Sequence, residues 1–329
     1  MPADPTKAYV ASQWAYTSPL IACRFDPKGR YVFSSAEDST IQRWDVPSGN
    51  KINFTAHDSW VFALAVSADG ETLLSAGGDG RLIWWPAAAE KPEPLRKIDA
   101  HQGWIRAIAI SPDGRMVATA GNDQSVKLWN MADGAPVRQF TGHENQVYSL
   151  LFHPGGQFLL SGDLLGFVHQ WEISTGNLVR KFEAKDLHSY NGGQGVHFGG
   201  VRSLAISPNG QHLACGGLFK AENPLGAVHE PLVMVFEWES QKLVQSQIAE
   251  GVKGSLWRIA YHPDGYLIGA CGGSSGGFLL FWKHDQNKEF HRFGMPNLTR
   301  DFDLHSDQIQ VATTHFDRHL RISRLEPKA

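Results

Sequence analysis

The sequence predicts an all-β protein assembled from seven copies of one repeated unit. Three observations carry that prediction. A tight-turn signature recurs seven times, at intervals of 41 to 55 residues. A tryptophan follows most of those turns at one fixed distance. The residues between turn and tryptophan form short β-rich runs rather than the 3.6-residue periodicity of helices.

The turns come first in each repeat. They read DPKG at Asp26–Gly29, SADG at Ser67–Gly70, SPDG at Ser111–Gly114, HPGG at His153–Gly156, SPNG at Ser207–Gly210 and HPDG at His262–Gly265, with a degenerate HSDQ at His305–Gln308. Proline presets φ at the second turn position, and glycine accepts a positive φ at the last. Fifteen residues beyond the turn glycine stand Trp44, Trp85, Trp129 and Trp171, and the same step from Gln308 reaches Ser323. Two short runs fill each interval, such as MVATA at 116–120 and SVKLW at 125–129. A four-stranded unit of this kind cannot bury both faces by itself, so the units must stack around an axis.

Composition narrows the function classes. A formal net charge of −3 over 329 residues gives no general attraction for polyanions, so no nucleic-acid partner is expected. No apolar run approaches the roughly 18 residues that span a bilayer, so no membrane span is expected. The N-terminal MPADPTKAYVASQW lacks the basic-then-apolar order of a secretory signal. Cys23, Cys215 and Cys271 each lie in an apolar strand pattern and read as buried thiols, which suits a reducing compartment. A cytoplasmic location is the resulting expectation.

The dipeptide Trp44-Asp45, its relatives Trp129-Asn130 and Trp171-Glu172, and Gly142-His143 with the variants Ala56-His57 and Ala100-His101 give the repeat its identity. It resembles the WD repeat (WD40 type), and seven copies imply a seven-bladed β-propeller forming one domain over residues 1–329. The repeats run over roughly 15–55, 56–99, 100–141, 142–184, 196–249, 250–293 and 294–329, the last completed by 7–14. The seventh stops after its third strand, so the N-terminal segment is expected to supply the fourth and leave no free edge.

The resemblance also implies a buried hydrogen-bonded set of His, Ser or Thr, Asp and Trp in each blade. His57, Ser75, Asp79 and Trp85 match it, as do His101, Thr119, Asp123 and Trp129. Blade one offers Ser34, Asp38 and Trp44 with Tyr16 in place of His. Blade four offers His143, Ser161 and Trp171 with Leu165 at the Asp position. Blade five has His197 with Cys215, Glu230 and Phe236 as replacements, blade seven keeps Thr313 and Asp317, and blade six keeps Trp282. An Asp–His–Ser set invites a catalytic reading, but a nucleophile is needed once and this set recurs, so it reads as architecture.

Function is sought where the chain departs from its repeat. About twelve extra residues fall within 185–200, eleven within 217–230, and two within 272–277. By the family's geometry these loops emerge on the top face, in one sector. At the channel mouth, the position that opens each first strand holds Ile21, Phe62, Arg106, Tyr148, Arg202, Trp257 and Arg300, with Trp60 and Trp104 nearby. Arginines alternating with aromatics suit an acidic or phosphorylated peptide, or an Arg or Lys side chain slotted between the aromatics, and Trp, Tyr and Arg dominate interface hot spots. The competing reading pairs these arginines with neighbouring carboxylates.

Enzyme motifs are weak. The GGSSG at 272–276 fits G-x-S-x-G in letters only, because no helix follows. The GGQG near Gly192 lacks the Gly-Lys-Ser/Thr of a phosphate loop. Asp186, His188 and His229 on the long loops, beside His197 and Glu230, are weak candidates for a zinc or iron site, since imidazoles and carboxylates can ligate either metal, whereas the three Cys have no metal-like spacing. The expected function is a non-enzymatic scaffold that binds a peptide or partner domain on its top face and needs no cofactor. The alternative is a small-molecule or metal-dependent, hydrolase- or lactonase-like activity on the top-face loops of blades four to six.

Overall fold

The computed structural model describes residues 2–220 and 229–328. It is all-β, with the seven four-stranded antiparallel sheets of a seven-bladed propeller. Blade one comprises Leu20–Phe25, Tyr31–Ala36, Thr40–Asp45 and Lys51–Thr55. Blade two comprises Val61–Val66, Thr72–Gly77, Arg81–Pro86 and Arg96–Asp99. Blade three comprises Ile105–Ile110, Met116–Gly121, Val126–Asn130 and Pro136–Phe140. Blade four follows with Val147–Phe152, Phe158–Asp163, Phe167–Glu172 and Leu178–Glu183, and blade five with Val201–Ile206, His212–Phe219, Glu230–Glu237 and Leu243–Ile248. Blade six holds Ser255–Tyr261, Leu267–Gly273, Gly276–Trp282 and His291–Met295. Blade seven takes Thr299–Leu304, Gln310–His315 and His319–Arg324 from the C-terminal end and Tyr9–Ala15 from the N-terminal end.

The turns behave as their residues dictate. Gly29, Gly70, Gly114, Gly156, Gly210 and Gly265 all have φ between +68° and +91°, and Gln308 takes the same region at +64°. The tryptophans that follow are buried in the third strands, with exposures of 2% at Trp44, 0% at Trp85, 9% at Trp129 and 2% at Trp171. Burying one such side chain removes about 200 Å² of mostly apolar surface from water, on the order of 5 kcal/mol before entropy is counted.

Two compact bodies divide the chain, Met1–Gln139 with Arg300–Ala329, and Phe140–Thr299. In the first, the core lies between adjacent blades. Phe33, Phe54, Leu64 and Trp85 join blades one and two, and Leu74, Trp84, Ile105 and Trp129 join blades two and three. Leu20, Cys23, Trp44 and Leu320 join blade one to blade seven. There, the first strand of blade seven also holds blade one through its carboxylates. Asp301 accepts from Cys23 N at 3.1 Å and from Arg24 Nη1 at 2.7 Å, and Asp303 accepts from Phe25 N at 2.8 Å. The N-terminal strand pairs with His319–Arg324 from Tyr9 opposite Arg324 to Ala15 opposite His319, with a bulge between Val10 and Ser12. It completes blade seven as the sequence requires, and its Trp14 stacks on Trp44 with centroids 6.0 Å apart.

In the second body, Val168, Phe182, Leu213, Cys215 and Phe236 form the core between blades four and five, and Val235, Leu256, Leu280 and Trp282 that between blades five and six. The insertion at 185–200 folds as a turn, Lys185–Leu187, and a hairpin of His188–Asn191 with Val196–Gly199. The expected long loop at 217–230 is partly strand, because His212–Phe219 and Glu230–Glu237 each extend to eight residues; residues 221–228 lie outside the described residues. The GGSSG motif is a hairpin turn between two strands of blade six.

Candidate functional site

The polar sets come first, because they decide which serines and histidines are available for chemistry. In blade two, His57 Nδ1 lies 2.9 Å from Asp79 Oδ2 and Nε2 lies 2.8 Å from Ser75 Oγ, which also accepts from Trp85 Nε1 at 2.8 Å. Blade three repeats this with His101, Asp123, Thr119 and Trp129 at 2.7–2.8 Å. Burial would raise the Asp79 and Asp123 pKa values, but hydrogen bonds and charge from His57 and His101 hold both below the usual carboxylate range. Ser75 and Thr119 are fully buried, and each hydroxyl already takes an indole N–H. No substrate reaches them, so the catalytic reading fails on access as well as on repetition.

Two expectations for the other blades, in blades four and five, are corrected. Blade four does have its carboxylate: Asp163, not residue 165, accepts from His143 Nδ1 at 2.7 Å. Asp163 ends the second strand where blades two and three have Gly77 and Gly121, and its other oxygen takes Leu165 N and Phe167 N, both at 2.9 Å. In blade one, Tyr16 reaches the set through Thr40 (2.8 Å), which connects through Gln42 and Ser34 to Trp44. Blade five has no such set among the described residues. His197 belongs to the inserted hairpin and faces His188, Nδ1 to Nε2 at 2.8 Å, and Glu230 pairs with Lys253 at 2.6 Å. The cause is the pair Gly199 and Gly200, at φ +90° and +89°. A Cβ on Gly199 would lie 2.0 Å from Leu187 O, so only glycine lets the chain turn here and carry His197 away from the blade.

Within the first body, four of the predicted rim residues come together. Trp60 and Trp104 are 44% and 41% exposed. Phe62 lies between them, 6.2 Å from Trp60 and 5.1 Å from Trp104 by ring centroids. Arg106 lies over both Trp104 (4.5 Å) and Phe62 (5.1 Å), and its Nε donates to Asn122 Oδ1 at 2.9 Å. Arg300 is separate in chemistry: it pairs with Glu37 at 2.7 Å and lies over the exposed Phe316 at 4.8 Å. The carboxylate reading therefore holds in blade seven. The sequence reading missed Asn122, Glu37 and Phe316. Each immediately precedes the turn aspartate of its blade (Asp123, Asp38 and Asp317), which is the signal that would have found them.

Within the second body, Arg202 lies over Tyr148 at 4.2 Å and Trp257 at 5.9 Å, and its Nε donates to Gly199 O at 2.9 Å. No carboxylate pairs with it among the described residues, and burial lowers its pKa. His229 is 9% exposed, with Nδ1 buried and without a hydrogen-bond partner among the described residues. Burial first and the Arg202 charge second lower its pKa.

The three insertions also meet. Phe198 of the hairpin packs on Leu218 of the extended blade-five strand. Lys253 ties Glu230 to the blade-six turn, its backbone N donating to Ser275 Oγ at 2.8 Å. The metal candidates do not assemble. His188 is engaged with His197, His229 sits by Arg202, and Asp186 is exposed on its turn. Among the described residues no three His, Cys, Asp or Glu side chains form a metal-binding group.

A family model described as "WD domain, G-beta repeat" matches residues 9–45, 50–86, 92–130, 134–172 and 187–218, together more than half of the chain. Curated relatives match over shorter stretches. U3 small nucleolar RNA-associated protein 21 of Saccharomyces cerevisiae is 32% identical over 96 residues, 29% of this chain and 10% of that protein. Transducin beta-like protein 3 of Bos taurus is 40% identical over 67 residues, 20% of this chain and 8% of its own length. Pre-mRNA-processing factor 19 of Mus musculus is 33% identical over 75 residues, 22% of this chain and 15% of that protein. The matched stretch is thus a small part of each relative.

Proposed function

This chain belongs to the WD-repeat family, and from that premise we propose that it is a non-enzymatic scaffold whose top-face rim binds a peptide or domain of a partner protein. One observation carries the reading: Trp60, Phe62, Trp104 and Arg106 form a contiguous aromatic and cationic cluster whose two tryptophans stay more than 40% exposed. Tryptophan and arginine give the largest losses when truncated in protein interfaces, and exposed indoles without a partner cost solubility that function must offset. Arg202, half-buried between Tyr148 and Trp257 and unpaired with any carboxylate among the described residues, supports an acidic or phosphorylated partner. Arg300 does not, since Glu37 neutralises it. The hydrolase-like alternative finds no support in the arrangement of Asp186, His188 and His229.

The test is affinity purification from the native source with wild type and Trp60→Ala/Trp104→Ala as baits, each also after phosphatase treatment of the extract. The reading expects a set of proteins that is lost with the double variant while its melting temperature stays within about 2 °C of wild type. Phosphatase sensitivity identifies the acidic group as phosphate. Recovery of the same proteins at the same level by both baits contradicts the reading.

A further inference from the structure

At the opposite ends of the same strands, blades two and three enclose a groove of about 650 Å³. Trp84 and Met131 line it, Leu95 and Arg96 stand at its edge, and the turns that carry Asp69 and Asp113 flank it. Leu95 is 61% exposed, the most exposed large apolar side chain among the described residues. Its backbone is anchored, since its N donates to Trp84 O at 2.8 Å. An aliphatic side chain facing water at the edge of a groove is surface that a ligand can cover.

The charges state what kind of ligand. Each aspartate uses one oxygen within its own turn. Asp69 Oδ1 accepts from Ser67 Oγ at 2.5 Å and Glu71 N at 2.9 Å, and Asp113 Oδ1 accepts from Ser111 Oγ at 2.6 Å and Arg115 N at 3.0 Å. The serine hydroxyl bonds, foremost, hold both pKa values below the usual range, so both groups are anionic. The second oxygen of each has no partner among the described residues. The groove's own cation is already committed: Arg96 Nη1 donates to Ala132 O at 3.1 Å and the guanidinium lies over Trp84 at 5.5 Å. Blade seven is a useful contrast, because there Asp307 spends both oxygens, on Ile309 N and Gln310 N and on Gln310 Nε2.

We propose that this groove is a second docking site, taking an extended segment of a partner protein that presents a lysine or arginine beside an aliphatic side chain. The aliphatic group covers Leu95 and the Trp84 edge, the basic side chain runs its methylenes along the same surface, and its head reaches the free oxygens of Asp69 and Asp113. The site is independent of the rim, and loss of one leaves the other intact.

The test is an NMR titration of the full chain with acetyl-Leu-Arg-Leu-amide, with acetyl-Leu-Glu-Leu-amide as the charge control. The variant is Asp69→Asn with Asp113→Asn. Blade five shows that asparagine keeps this turn, since Asn209 Oδ1 accepts from Ser207 Oγ at 2.6 Å and Gln211 N at 3.1 Å. Saturable shifts at the Trp84 indole N–H and the Leu95 amide are expected, with a Kd of about 1 mM. Affinity is expected to fall at least about threefold in the double variant and to stay unchanged in Trp60→Ala/Trp104→Ala. Absence of saturable shifts up to about 10 mM, equal response to the glutamate peptide, or unchanged affinity in the double asparagine variant overturns the proposal.

Discussion

Blades two to four and blade five begin from the same repeat and stabilise themselves in different ways. Blades two, three and four each join the histidine, the carboxylate, the hydroxyl and the indole in one buried chain of hydrogen bonds. Blade five puts Cys215 in the place of the hydroxyl and Phe236 in that of the indole, both nearly fully buried, and relies on apolar contact with blade four. The comparison separates what the polar set does from what the blade needs. A blade needs filled space between itself and its neighbour. The polar set adds directional bonds that fix the turn after the second strand. Where the set is given up, the chain before the first strand is released, and there it grows the hairpin that carries Tyr190 to the surface at 58% exposure.

The largest test of this contrast is the join that neither solution provides. Deleting residues 2–15 exposes the long edge of His319–Arg324 and removes the Trp14–Trp44 stack. The melting temperature is expected to fall by about 10 °C or more by calorimetry. A truncated chain that melts with wild type would mean that strand Tyr9–Ala15 is ornamental.

Next in size are the histidines. His101→Ala leaves Thr119 and Asp123 without their partner in a buried site and should cost about 3 kcal/mol in urea denaturation, with Asp163→Ala close behind in blade four. His197→Ala, at the same distance before its first strand, should cost less than about 1 kcal/mol, because its ring meets His188 and Tyr190 of the hairpin and not a buried blade set among the described residues. Equal losses at His101 and His197 would erase the distinction between the two kinds of blade.

How far these differences can be read from residues alone depends on where the information lies. The seven turns, the tryptophan spacing and the N-terminal closing strand were all legible, because a φ requirement or a fixed strand length makes them local. The sets in blades two and three were legible for the same reason. Asp163 was not, because a side chain two residues upstream reaches the same histidine from the end of the strand rather than from the turn. His197 kept the right spacing in sequence and lost its place in space, through a glycine pair whose φ values turn the backbone away. On the rim, the arginines could be placed by counting, but which of them is neutralised could not. That depends on Glu37, which belongs to the blade adjoining Arg300 and lies far from it in sequence.

A further effect comes from pH. His169 stacks on His143 with centroids 3.9 Å apart, and burial, then the charges of His143 and Lys181, push its pKa down to about 3. The unfolded chain binds a proton at about pH 6.5 that the folded chain refuses. Stability is therefore lost as pH falls below about 6.5, with a slope of at most about 1.4 kcal/mol per pH unit from this one group, until the folded pKa is reached. His169→Gln should flatten that slope between about pH 6 and pH 4 in calorimetric scans, and a variant with the wild-type slope would assign the effect elsewhere.

The smallest stability effect is expected where the functional effect is largest, and there the account is most exposed. Trp104 and His101 are three residues apart in blade three, one on the rim and one in the buried set. Melting temperature and recovery of native partners, measured together for Trp104→Ala and His101→Ala, test the division between them. Trp104→Ala is expected to lose partners while melting within about 2 °C of wild type, and His101→Ala to melt several degrees lower. A Trp104→Ala chain that keeps every partner, or loses them only by unfolding, would contradict it.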